Sequence, residues 1–201
     1  SHTNFRLQEA KKATVTLNVS SAGWATLILP FNAEIPEGMT VYASKQLNDK
    51  SVALEKVESI VANTPYLISG TEGTYKFSGY GLADKDSYED ENGLFVGTYA
   101  EYQTKVGDYV LQKHDDVVAF YCVGESVQPI VKPYRCYLTA PASEIKAFFF
   151  GDEVTGINGV DAADTEIEAI YTINGTRVNN LQKGLNIVKM SNGKTQKVYV
   201  K

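Results

Sequence analysis

Histidine, cysteine and tryptophan are scarce in these 201 residues: two histidines, two cysteines and a single tryptophan. So few nitrogen and sulfur ligands leave nothing from which to build a closed zinc or iron site. No stretch approaches the roughly 18 consecutive apolar residues that span a bilayer, and no basic start followed by an apolar run marks a signal peptide. Ser1-His2 reads as the scar of a cut N-terminus, so the missing leader carries no message about address. Clustered basic charge is lacking too. A formal net charge of −5 and a pI near 5.1 argue against nucleic acid as a partner, because that binding draws on grouped Lys and Arg. No glycine-rich loop leads from a strand into a helix, so nucleotide binding has no support and no cofactor is expected.

What the chain does have is tyrosine, thirteen of them, within an apolar content of 43%. Tyrosine favours half-buried β surfaces with a wet hydroxyl edge. The stretch Ser21 to Ser44 sets the pattern: Trp24 to Leu29 reads as a strand, Pro30 stops it for want of an N–H, and Pro36-Glu37-Gly38 turns into Met39 to Ala43. Similar short runs cover 14–19, 52–57, 65–68, 74–77, 94–99, 109–112, 117–123, 134–139 and 145–150, with turn chemistry between them. No convincing helix interrupts them. A spacing of about 8–12 residues between short strands predicts an all-β fold, an antiparallel β-sandwich of jelly-roll or immunoglobulin-like kind. Proline stands before three of the runs, at Pro36, Pro65 and Pro133, where a strand tolerates it.

Composition changes after Phe148-Phe149-Phe150. Residues 1–152 form the expected sandwich, 153–165 a Gly-, Asp- and Ala-rich linker, and 166–201 a small β-meander. Asn174-Gly175 is the strongest hairpin signal present, since Asn-Gly accepts the positive φ of a type I′ turn, and Asn192-Gly193 repeats it.

Catalytic groups are thin. His114 lies in the polar run Lys113-His114-Asp115-Asp116 with no Gly-x-Ser-x-Gly elsewhere, which reads as a surface turn rather than part of a triad. Ser143-Glu144-Ile145-Lys146 matches Ser-x-x-Lys in spacing only, because a strand sends Ser143 and Lys146 to opposite faces. The chain is therefore expected not to be an enzyme. Asp84, Asp86, Glu89, Asp90 and Glu91 make the densest acidic cluster, either a solvated loop or a low-affinity Ca²⁺ site. It is no EF-hand, since Glu89 stands where that loop needs glycine. Trp24 in its alternating strand reads as core, with stacking on a sugar ring as the other option.

The runs 23–31, 35–38, 63–68, 94–98 and 109–112 resemble, in their order, the repeated all-β modules of secreted Bacteroidetes surface proteins. The tail motifs Ile170 to Val178, Lys183 to Val188 and Gly193 to Lys201 are similar to the C-terminal sorting-tail family of type nine secretion, except that Asn186 sits where that family usually has an aromatic. The resemblance implies a cell-surface or secreted, outer-membrane-associated chain, part of a longer exported protein. The expected function is a non-catalytic adhesion or binding module for a surface ligand, protein or glycan. The alternatives are a carbohydrate-binding accessory domain of a glycan-active protein and a structural spacer presenting the sorting tail. Such an address permits a disulfide. Cys122 and Cys136 fall on runs that flank a single loop and are expected on neighbouring antiparallel strands, where register decides between a bridge and two free thiols.

Overall fold

The computed structural model describes residues 9–141, 144–150, 167–190 and 195–200, and every regular element among them is a β-strand. The chain is all-β. Its described residues fall into two compact units, one running up to Gln112 and resuming at Val118–Phe148, the other holding Lys113–Val117 and the residues from Phe149 on. The expected linker 153–165 lies outside the described residues, as do Ser1, His2, Ser143, Asn192 and Gly193.

The first unit is a layered antiparallel sandwich built from β1 (Lys11–Val19), β2 (Trp24–Leu27), β3 (Met39–Asn48), β4 (Ser51–Val57), β5 (Tyr66–Gly70), β6 (Gly73–Gly81), β7 (Ser87–Glu89), β8 (Phe95–Thr98), β9 (Tyr102–Gln103), β10 (Tyr109–His114), β11 (Val117–Cys122), β12 (Ile130–Val131), β13 (Arg135–Leu138) and β14 (Ala147–Phe148). Its middle layer is the sheet β2-β5-β3-β4. The β1–β6 ribbon covers one face of that sheet. Alternation does this directly: Val15, Leu17 and Val19 of β1 and Phe77 of β6 point inward onto Ala25, Leu27, Met39, Val41, Tyr66 and Ile68.

The other face meets the sheet β14-β11-β10-β13-β8-β7. Thr26, 6% exposed, joins the two sheets: its Oγ1 accepts from Cys136 N at 2.9 Å and donates to Cys136 O at 3.2 Å. Two residues on, Ile28 N donates to Tyr134 O at 3.2 Å. Phe95 packs on Phe120 at 5.5 Å and Tyr109 on Phe148 at 4.8 Å, with the Tyr109 hydroxyl donating to Ile145 O. The far face of this sheet carries Val96, Val110 and Tyr137 against Val123, Val131 and Tyr102, where the β9–β12 ribbon lies.

Turn chemistry is where the sequence placed it. Gly38 has φ +80° and Met39 N donates to Pro36 O at 3.2 Å. In the second unit β15 (Ile167–Thr172) and β16 (Arg177–Val178) close over Asn174-Gly175, with Gly175 at φ +78°. β17 (Gly184–Met190) and β18 (Thr195–Val200) complete a four-stranded antiparallel sheet in the order β16-β15-β17-β18. That order is not strictly sequential. The two-residue β16 takes one edge of β15, and β17 takes the other with full-length pairing.

Candidate functional site

β2 ends at Leu27, where the next N–H, that of Ile28, turns to Tyr134 O, and the chain then crosses the end of β6 at Pro30, which has no N–H to resume the ladder. Gly81 makes the crossing possible: a Cβ at that position would lie 2.0 Å from Pro30 O. The close approach leaves an open groove of about 370 Å³, walled by Lys11 and Ala13 of β1 on one side and by Leu82 and Ala83 on the other, with Glu9 at its rim. Leu82 keeps 43% of its surface exposed.

Leu82 leads into a tyrosine cluster through Asn63. The Asn63 amide donates to Leu82 O at 3.0 Å, and its backbone N–H donates to Leu29 O at 2.7 Å. Its Oδ1 accepts from the Tyr99 hydroxyl at 2.7 Å. Tyr99 in turn meets Tyr88 and Tyr134 edge-on, with ring centroids 5.9 and 5.6 Å away. The Tyr88 hydroxyl donates to the Asp84 carboxylate and accepts from Asp84 N, and the Lys85 ammonium stands 5.4 Å from its ring. That hydrogen bond from Tyr88 holds the Asp84 carboxyl below its ordinary value. Burial pushes the Tyr99 phenol well above its ordinary value of 10, so it is a neutral hydrogen-bonding group near neutral pH and no proton acceptor. The edge offers ring surface, an amide, hydroxyls and one charge of each sign. Such groups bind and orient.

Backbone strain collects at the same place. Four described non-glycine residues have positive φ. Asp49 and Asp115 sit at hairpin tips and Asn63 (φ 57°) in a turn, where a short polar residue tolerates the conformation, whereas Tyr134 (φ 65°) is a bulky residue held there, edge-on to Tyr99. An Asn before Thr-Pro was a local hint at position 63. Nothing in the sequence marks Tyr134.

The acidic run does not gather into one centre. Asp84 is engaged by Tyr88. Asp90 is an organiser of its own loop: its carboxylate accepts from the Ser44 hydroxyl, from Leu94 N at 2.8 Å and from Phe95 N at 3.1 Å. Asp86 contributes its backbone carbonyl to Tyr99 N at 2.7 Å, and the side chains of Glu89 and Glu91 are exposed. Among the described residues no three Asp, Glu, His or Cys side chains converge on a point that would hold a metal ion. His114 is exposed at the end of β10, and Trp24 is half-buried against Tyr42 at 6.0 Å.

The cysteine expectation needs correcting. β11 and β13 are not neighbours, because β10 lies between them as the hairpin partner of β11. Two strand spacings come to about 10 Å, beyond the ~7 Å a disulfide spans. Cys122 is a half-buried free thiol and Cys136 a buried one, and burial pushes Cys136 up to about 12. Titration in denaturant without reductant should therefore count two thiols. In the folded chain Cys122 should react first, with Cys136 waiting on unfolding. A count below two would refute the arrangement.

Compared with protein-family models, with curated proteins and with solved structures, the chain matches none.

Proposed function

We propose that the chain is a non-catalytic binding module, exported to the cell surface or secreted as part of a longer protein, and that it takes its ligand along the edge formed by the groove and the tyrosine cluster. The observation that carries this is the strain at Tyr134, a bulky residue held in the left-handed region against Tyr99, whose hydrogen bond to Asn63 leads to the open groove. A bulky residue held there costs of order 1–3 kcal/mol, and such cost collects at ligand clamps and other working sites. The groove lies at the lower end of the range for small-ligand sites, about 300–1,000 Å³. The resemblance of the tail to sorting tails supports the exported address.

The test is a screen of the labelled chain against oligosaccharides and purified matrix proteins, repeated with Leu82→Arg, which fills the groove from an exposed position. We expect a ligand whose binding falls by about tenfold or more in that variant, with melting unchanged. Binding that ignores Leu82→Arg would remove the groove from the reading. New reducing ends released from any polysaccharide would replace the binding module by an enzyme.

A further inference from the structure

The β1–β6 ribbon has a second face, turned away from the core. The register pairs Lys12 with Tyr80, Thr14 with Ser78, Thr16 with Lys76 and Asn18 with Thr74, and all of these side chains are exposed. The face is regular. Thr14 and Ser78 hydroxyls share a hydrogen bond at 3.0 Å, and the Thr74 hydroxyl donates to Asn18 Oδ1 at 2.9 Å, so a ladder of hydroxyl and amide groups runs up the ribbon. Tyr80 stands at its end with 71% of its surface in solvent.

Its charge is the opposite of the chain's. The two charged side chains among these pairs are both lysines, in a protein of net charge −5. Arg135, half-buried, adds a third cation at the β1 edge, where it donates to Thr16 O at 3.4 Å. Two ion pairs occur among the described residues, Lys113–Asp116 and Lys189–Glu168, and neither involves Lys12, Lys76 or Arg135.

We propose that this face binds an acidic polysaccharide, a chain of sugar rings bearing carboxylates. Three features of the face fit three features of that ligand. The hydroxyl and amide ladder meets ring hydroxyls, Tyr80 offers an aromatic face to the C–H side of a pyranose, and the lysines meet carboxylates. Spacing decides against nucleic acid. Lys12 and Lys76 are four residues apart along the ribbon, about 14 Å, which suits sparse charge rather than the one charge per ~1.7 Å of a duplex. The proposal is independent of the groove, which lies on the inward side of the same ribbon and is walled by Lys11 and Ala13.

The experiment titrates the full chain with hexagalacturonate, a hyaluronan hexasaccharide and an alginate hexamer. Methyl-esterified hexagalacturonate, a single-stranded DNA 12-mer and phosphatidylserine vesicles serve as comparisons. At least one acidic sugar should bind, more weakly as salt rises, and esterification should abolish the binding of hexagalacturonate if that is the sugar bound. Tyr80→Ala should weaken binding about tenfold or more, Tyr80→Phe should retain most of it, and Lys12→Gln with Lys76→Gln should flatten the salt dependence. All these positions are exposed, so melting should not move. Equal binding of ester and acid, equal binding of DNA or vesicles, no acidic sugar bound, or indifference to Tyr80→Ala would each overturn the proposal. Loss of sugar binding in Leu82→Arg but not in Tyr80→Ala would overturn it while leaving the groove reading in place.

Discussion

Gly97→Ala is expected to destabilise the chain by about 3 kcal/mol, lowering the melting temperature by roughly 10 °C. A Cβ at position 97 would lie 2.6 Å from Ile28 Cδ1, 2.8 Å from its Cβ and 2.9 Å from its Cγ2, all closer than carbon atoms pack. Neither side has room to give. Ile28 is fully buried and its N–H is committed to Tyr134 O, while Gly97 is held between Cys136 of β13 and Tyr88 of β7. The added atom meets Cβ of Ile28 as well as its side-chain ends, so a change of rotamer alone gives no relief. Gly124→Ala, with nothing within 4 Å of the added atom, is the control and should shift stability by no more than about 0.5 kcal/mol. Ile28→Ala removes Cγ2 and Cδ1, and the double variant should cost less than the sum of the two single changes by about 1 kcal/mol or more. Strict additivity would mean that Ile28 does not rest on β8.

Strand class and most strand positions were legible because alternation and turn chemistry are local. Met39 to Ala43 and the Asn174-Gly175 hairpin needed no knowledge of the rest of the chain, whereas the run Trp24 to Leu29 was right only at its start, since β2 ends at Leu27 where Ile28 N turns to Tyr134 O. The short pieces β7, β9 and β12 escaped, since two or three residues carry no period and owe their conformation to the strands beside them. Strand order was illegible for the same reason. Cys122 and Cys136 looked adjacent because one loop separates their runs, and the insertion of β10 between them is a property of the sheet. The groove and the tyrosine cluster lay deeper still. Pro30, Asn63, Gly81, Leu82, Tyr99 and Tyr134 are scattered along the sequence, and the ends of three strands must meet before they share an edge. The outward face of β1, by contrast, is written in Lys12, Thr14, Thr16 and Asn18 as plain alternation, and only its pairing with β6 makes it a surface.

Asn186 shows a departure from a resembled pattern turning into structure. This side chain is fully buried and its amide is hydrogen-bonded on both sides. Its Oδ1 accepts from Gln182 N at 2.8 Å, and its Nδ2 faces the carbonyls of Gln182 at 2.6 Å, Gly184 at 3.0 Å and Val198 at 3.4 Å. The amide thus does for the 182–186 turn what a backbone pair would do, and it fixes how the chain enters β17. Asn186→Ala leaves the Gln182 N–H and carbonyl without their partners, at a cost of about 2–3 kcal/mol. Asn186→Phe adds a ring where no space is open and should cost at least as much. In a unit this small the loss is a large share of the total, so it should show as local opening. Amide exchange across β17 and β18 should accelerate about 30-fold or more in both variants, following the conversion of free energy into an opening constant. Asn186→Asp keeps the acceptor for Gln182 N but sets a buried carboxylate oxygen against three carbonyls, and should cost at least as much as Ala. Exchange in β17 unchanged by Asn186→Ala would show that the turn closes without the amide.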